Sequence, residues 1–275
     1  MRKTRIKSCR PRDILDFNKT GLAITKTLTA LPDPSSLNVV IFHGVDGYPE
    51  KSWYTWLGKE LTKLGCNVII PQLPTKVPPE GVALINSPVP KELRSYKDQL
   101  GPIWESRGED ILKDLDPSKT IIIGHSLGAF LAARLTEKTK KKFHAVFLLS
   151  PVAGPFKLPD CYPGLKTFFK NGIQGKAVRR GAKFLSFFIG SNDKDVPPED
   201  QMHLAKKSFA DEVIVVKGGA HLNKFSNLNS RSKKPFDEVN GFPLLLEHVK
   251  RCMDLTGPSR NYNLSVPDQA QIVVH

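Results

Sequence analysis

Ser126 stands at the centre of the pentapeptide Gly124-His125-Ser126-Leu127-Gly128, directly after the apolar run Thr120-Ile121-Ile122-Ile123. A serine that attacks a carbonyl must stand proud of its backbone, so strand has to turn sharply into helix, with small residues two places before and two places after it. Gly124 and Gly128 meet that demand, and Leu127, Phe130, Leu131 and Leu135 continue at helical spacing. The chemistry this implies is covalent, nucleophilic attack at the head of a helix.

A serine hydroxyl is a weak nucleophile at neutral pH. It needs a histidine base within reach, and usually a carboxylate that fixes the tautomer of that base. An apolar strand pattern, Phe184 to Ile189, runs into Gly190-Ser191-Asn192-Asp193-Lys194-Asp195-Val196-Pro197. Asp193, the first carboxylate to leave the sheet, is the expected acid, with Asp195 the alternative, a residue that can instead cap the helix beginning near Glu199. The next strand pattern, Val213 to Val216, ends in Lys217-Gly218-Gly219-Ala220-His221, which makes His221 the expected base. His203 and His248 fall inside helical patterns, His144 opens a strand, and His275 is the last residue. The oxyanion formed on attack requires two preorganised N–H donors. The amide of Leu127 at the helix start supplies one, and Val45, in the loop His43-Gly44-Val45-Asp46-Gly47, is expected to supply the other.

The elements that must position these groups follow from periodicity. Val39 to Phe42 is a short apolar run typical of a strand buried on both faces. Trp53, Trp56, Leu57, Leu61 and Leu64 recur at helical intervals and predict a helix from Lys51 to Leu64, closed by Gly65. Cys66 to Pro71 reads as a second strand, and the proline-rich stretch from Leu73 to Pro90 as a loop. Helical patterning returns between Lys91 and Leu115, interrupted near Gly101-Pro102. Further strands are expected at Phe143 to Leu149 and Glu212 to Val216, and helices at Glu199 to Ser208 and Pro243 to Leu255. Strands alternating with helices predict an α/β fold, a mostly parallel open sheet covered on both faces, with functional groups beyond the carboxyl ends of the strands.

The expected organisation is a basic extension over residues 1–37, a main domain over 38–255 and a polar, loosely ordered tail over 256–275. Residues 151–183 mix aromatics, glycines and basic residues, and read either as a small cap over the site or as a crossover helix packing Phe168 and Phe169 into the core. Trp53, Trp56 and Phe168 would favour an apolar group if they line the pocket; core packing is the other reading.

The order of elbow, acid and base resembles the α/β-hydrolase fold over residues 38–255. Within it, Trp53-Tyr54-x-Trp56-Leu57, the approach Ile121-Ile122-Ile123-Gly124-His125-Ser126, and Gly190-Ser191-x-Asp193 resemble the small retinoblastoma-binding protein 9 family of serine hydrolases. That resemblance implies hydrolysis of an ester or amide through an acyl-enzyme, with a carboxylesterase-like or aminopeptidase-like preference. Retinoblastoma-protein binding is not implied, because Leu64-Gly65-Cys66-Asn67-Val68 lacks the closing Glu of a Leu-x-Cys-x-Glu motif.

The 275 residues carry a formal charge of +14, with a pI near 9.6. Basic runs at Arg2 to Arg12, Lys138 to Lys142 and Arg231 to Lys234 contain no interleaved stacking aromatics, which argues against specific nucleic-acid binding. The four cysteines, Cys9, Cys66, Cys161 and Cys252, show no metal-ligand spacing, so neither a metal nor another cofactor is expected. No stretch has the roughly 18 to 20 apolar residues of a membrane span. A cytoplasmic location and a small ester or amide substrate are the expectations. The same features are also compatible with a hydrolase-fold binding protein, or with an acyltransferase whose acceptor replaces water.

Overall fold

The computed structural model describes residues 37–44, 47, 49–50, 52–73, 100–152, 169, 172–225, 237–238, 241–253 and 270–274. In chain order the elements are β1 (Asn38–Phe42), α1 (Tyr54–Lys63), β2 (Asn67–Ile69), α2 (Leu100–Leu112), β3 (Thr120–His125), α3 (Leu127–Lys138), β4 (Phe143–Leu149), α4 (Gly175–Gly181), β5 (Ala182–Gly190), α5 (Pro198–Lys207), β6 (Glu212–Val216), β7 (Lys224–Phe225), β8 (Asp237–Glu238), α6 (Pro243–Met253) and β9 (Ala270–Val274). The main sheet has the order β2-β1-β3-β4-β5-β6-β9. Its first six strands are parallel, and β9 pairs antiparallel with β6.

Strand sequences that are apolar at every position bury both faces, and the cores sort by alternation. Val40 and Phe42, Val146 and Leu148, and Leu185 and Phe187 face a core that also takes in α3, Trp104 of α2, Val178 of α4 and Leu204 of α5. Val39 and Ile41, Ile121 and Ile123, and Phe147 and Leu149 face the opposite core, closed by Leu57 and Leu61 of α1 and by Leu245 and Val249 of α6. Two salt-bridged groups tie α2 to α3: Lys138 to Glu105 and Glu109, and Arg134 to Glu105 and Glu137.

The registers bring the carboxyl ends of the central strands level: Phe42 lies beside Gly124, His125 beside Leu149, and Gly190 beside Val216. The strand order reverses between β1 and β3, the switch point at which loops diverge and leave a crevice. Ser126 emerges there.

The structure departs from the expected elements near Gly101-Pro102, where α2 runs through both residues without a break, and at the C-terminus. The C-terminal segment, expected to be loosely ordered, contributes β9: Ile272-Val273-Val274 is a β-branched run, and the open edge of β6 gives it a partner. Within 151–183, Gly175–Gly181 is a crossover helix and Phe169 is buried edge-on against Phe130 in the core. Of the possible cap over 151–183, residues 153–168 lie outside those described, as do residues 1–36 of the basic extension, residues 74–90 of the proline-rich loop and residues 91–99 of the helical stretch expected after it. No helix among the described residues is long and apolar enough to cross a membrane. Cys66 and Cys252 are free and buried, and burial pushes their thiols up to about 11 and about 12, which keeps them protonated and unreactive.

Candidate active site

Ser126 links the end of β3 to the first residue of α3 with φ 56° and ψ −120°. A non-glycine residue held there stores about 1–3 kcal/mol of strain. The turn is pinned by its own backbone: the Ser126 N–H donates to Leu149 O at 2.8 Å, and Ser126 O accepts from Ala129 and Phe130. The two flanking glycines are required sterically. A Cβ on Gly124 would stand 2.5 Å from Gly128 O, and one on Gly128 would run into the carbonyls of Phe42 and His43. The glycine loop after β1 passes close over the serine, since a Cβ on Gly44 would lie 3.1 Å from Ser126 Cβ. Leu127 opens α3, where first-turn amides have no intrahelical acceptor. Val45, the other expected oxyanion donor, lies outside the described residues.

The loops after β5 and β6 are stitched together. Ser191 N–H donates to Val216 O at 3.0 Å, Asn192 N–H to Gly219 O at 2.8 Å, and Gly218 N–H to Ser191 Oγ at 2.9 Å. This stitching carries Asp193 to His221. His221 Nδ1 lies 3.0 Å from Asp193 Oδ2 and 3.1 Å from Oδ1. Asp193 is 4% exposed, whereas Asp195 is exposed and contributes only its backbone N–H, which donates to Asp193 Oδ1 at 3.0 Å. Val196 N–H donates to the same oxygen at 2.9 Å, and Gln201 Nε2 donates to Oδ2 at 3.0 Å. Burial alone would raise the pKa of Asp193. The His221 ring beside it, the Val196 amide and Ser150 together outweigh burial and hold it below the ordinary carboxylate value, although the buried Ser150 hydroxyl closes no hydrogen bond of normal geometry. Of the two carboxylates, it is therefore Asp193 that the fold presents, ionised, to the histidine.

Ser126 and His221 come together through an intermediary. His125 Nε2 donates to His221 O at 2.6 Å, so the residue preceding the serine grips the backbone of the histidine. Among the described residues, the Ser126 hydroxyl makes no hydrogen bond to the His221 ring. Such contacts commonly tighten only when substrate binds. Asp193, Asp195 and His221 also place ligand atoms within 4.8 Å of one another, the spacing of a metal-ligand set. The Asp193 oxygens and His221 Nδ1 are engaged in hydrogen bonds. Two other histidines serve the structure: His144 Nε2 donates to Cys252 O at 2.7 Å, and His248 Nδ1 donates to Glu212 at 2.9 Å.

Besides the part played by His125, sequence reasoning missed four residues around this site. Gln201 clamps Asp193 and also donates to Val196 O at 2.7 Å. Tyr54 donates its hydroxyl to His125 Nδ1 at 2.6 Å, and Trp53 donates Nε1–H to Leu222 O at 2.8 Å. His43 Nε2 accepts from Leu73 N–H at 2.9 Å while its Nδ1–H donates to Gly44 O at 2.8 Å, which braces the glycine loop. The only sequence signal was the Trp53-Tyr54 pair itself. It is core rather than pocket: both residues are buried.

Residues 105–233, which include Ser126, Asp193 and His221, match a family model described as serine hydrolase. Among solved structures, the ydeN gene product of B. subtilis is similar with a TM-score of 0.59 at 17% identity, over 80% of this chain and 100% of that one. TT1662 from Thermus thermophilus gives a TM-score of 0.55 at 17% identity, over 84% of this chain and 92% of that one. Est1E from Butyrivibrio proteoclasticus, solved with ferulic acid bound, gives 0.55 at 17% identity, over 82% of this chain and 92% of that one. Comparison with curated protein sequences gives no significant match. The fold is that of the α/β hydrolases, and the family match supports a hydrolase.

Proposed function

We propose that this protein is a serine hydrolase that cleaves an ester or amide bond of a small substrate through an acyl-enzyme intermediate. The observation that carries this reading is the pair of buried Asp193 and half-buried His221, 3.0 Å apart, held by His125 next to the strained turn that carries Ser126. Asp193 accepts the Nδ1 proton of His221 and so leaves Nε2 free to take the proton of the Ser126 hydroxyl as Oγ attacks the carbonyl carbon. The amides of Leu127 and Val45 receive the oxyanion. The proton then passes from His221 to the leaving alcohol or amine, and a water activated by the same ring releases the acid.

An ester substrate is in keeping with Est1E, a structural relative solved with ferulic acid bound; the carboxylesterase-like and aminopeptidase-like readings both stand. The retinoblastoma-binding protein 9-like motifs around Trp53, Ser126 and Asp193 support a place near that group of hydrolases. The test is labelling with a fluorophosphonate probe, with the adduct located by mass spectrometry. Stoichiometric modification of Ser126, lost in Ser126→Ala and in His221→Ala, is expected; a well-folded wild type that takes no label would overturn the reading in favour of a binding protein built on the same fold.

A further inference from the structure

His221 sits in a turn that the backbone alone does not favour. Leu222, its neighbour, has φ 52°, a left-handed conformation that costs a non-glycine residue about 1–2 kcal/mol. Two buried side chains grip the successive carbonyls of this turn. His125 Nε2–H holds His221 O at 2.6 Å, and Trp53 Nε1–H holds Leu222 O at 2.8 Å. The His125 ring is in turn fixed by the Tyr54 hydroxyl on Nδ1 at 2.6 Å. A carbonyl accepts only, so Nε2 must carry the proton, Nδ1 must be the acceptor, and Tyr54 must be the donor. The three rings pack against one another: Trp53 and Tyr54 have centroids 4.6 Å apart, and Trp53 and His125 5.9 Å. Trp53, Tyr54 and His125 are 0%, 2% and 2% exposed, so water does not compete for these bonds.

We infer that Trp53, Tyr54 and His125 are positioning residues that lock the backbone of the His221–Leu222 turn and thereby aim the His221 ring between Asp193 and Ser126. This rests on the serine-hydrolase reading for its catalytic meaning. The geometry gives it independent content, because the clamp acts on main-chain atoms of the turn. Neither Trp53 nor Tyr54 contributes to substrate binding in this assignment. They are the first residues of the α1 region, and their task is to transmit the position of that helix to a loop 169 residues further along the chain. The arrangement also explains why a histidine occupies the position before the nucleophile: the site needs a ring that accepts on one nitrogen and donates from the other.

The test uses Tyr54→Phe, which removes one oxygen and leaves the packing volume, and Trp53→Phe as a second variant. Three quantities are read: steady-state hydrolysis of p-nitrophenyl acetate, the second-order rate of fluorophosphonate labelling at Ser126, and amide hydrogen exchange of residues 217–223 by mass spectrometry. Misplacing a catalytic group by ~1 Å can cost about a hundredfold. Tyr54→Phe is expected to lower kcat and the labelling rate together by about tenfold or more, with KM within about twofold, and to speed exchange in that segment. Loss of thermal stability with unchanged kcat, unchanged labelling and unchanged exchange would overturn the inference and leave the pair as ordinary core. If the wild type takes no label but the variants still exchange faster at 217–223, the hydrolase reading fails while the clamp stands. If Trp53→Phe does not fold, Tyr54→Phe decides alone.

Discussion

Asp193→Asn changes one atom and should separate catalysis from folding in a way the hydrogen bonds dictate. Asp193 Oδ1 accepts the backbone N–H groups of Asp195 and Val196 at 3.0 and 2.9 Å, so the oxygen of the replacement amide must stay on that side. The new NH2 is thus forced into the place of Oδ2, facing two donors at 3.0 Å, Gln201 Nε2 and His221 Nδ1. His221 can resolve its half of the conflict only by moving its proton to Nε2, the nitrogen that has to accept from Ser126. Holding the base in the wrong tautomer costs about 10⁴ in kcat. Gln201 can relieve its half only by flipping, which turns its oxygen onto the Val196 carbonyl, so a buried mismatch of about 1–3 kcal/mol remains either way. The assay is kcat on p-nitrophenyl acetate alongside urea unfolding, with Asp195→Asn as the comparison. Asp195→Asn should stay within a few-fold of wild type, because its exposed side chain makes none of these contacts. Equal losses in the two variants, or an Asp193→Asn protein with more than about a tenth of wild-type activity, would refute the reasoning.

Further outcomes follow from the same geometry. Gln201→Glu places a second carboxyl 3.0 Å from Asp193, and because neighbouring like charges raise each other's pKa, the acid limb of the kcat/KM profile should move up by about one pH unit or more; an unmoved limb would show that Gln201 does not face the acid in solution. Gly128→Ala sets a methyl against the Phe42 and His43 carbonyls and should unfold the protein at a markedly lower temperature, whereas Gly65→Ala, with φ 85° but open space around it, should cost only about 1 kcal/mol; thermal melts compare the two. His125 is held neutral, with its pKa pressed down to about 3 first by burial and next by the neighbouring His221, against 6.5 when unconstrained. Between those values the unfolded chain takes up a proton that the folded chain refuses. Its stabilising contribution is therefore complete above pH 6.5 and shrinks as pH falls toward 3, by up to about 1.4 kcal/mol per pH unit, in the same direction as Asp193. Urea unfolding from pH 7 to 4 should show this slope, reduced in His125→Asn.

Most of the six parallel strands were legible because they are short, doubly buried apolar runs, and runs such as Phe143 to Leu149 announce themselves by composition; β2 is only half-buried. The elbow was legible for a different reason: its steric demand falls on residues adjacent in sequence, Gly124 and Gly128. Asp193 and His221 could be picked out because chain order and strand ends constrain where acid and base arise. Asp193 could be separated from Asp195 only by the turn that buries one and exposes the other, and that turn depends on Gln201, eight residues away on α5. Trp53, Tyr54 and His125 stayed hidden because an aromatic residue at helical spacing looks like core, which these also are; their donor groups acquire a purpose only when β6 is in place. The strand β9 was missed because a run of three β-branched residues forms a strand only where an edge is waiting for it.

That edge strand bears on the loop that carries the base. Without β9 the sheet would finish at β6, and its open outer N–H and C=O groups would lie directly beside the loop that carries His221; with β9 in place the open edge lies one strand further out. Glu212 to Val216 are instead covered residue for residue by Val274 to Ala270, running the opposite way. The loop that carries His221 begins directly after β6, so an intruding strand at this edge would disturb the base. Trimming the last residues should therefore leave β6 open beside the His221 loop, and faster amide exchange of residues 217–223 together with a lower kcat is the expected outcome.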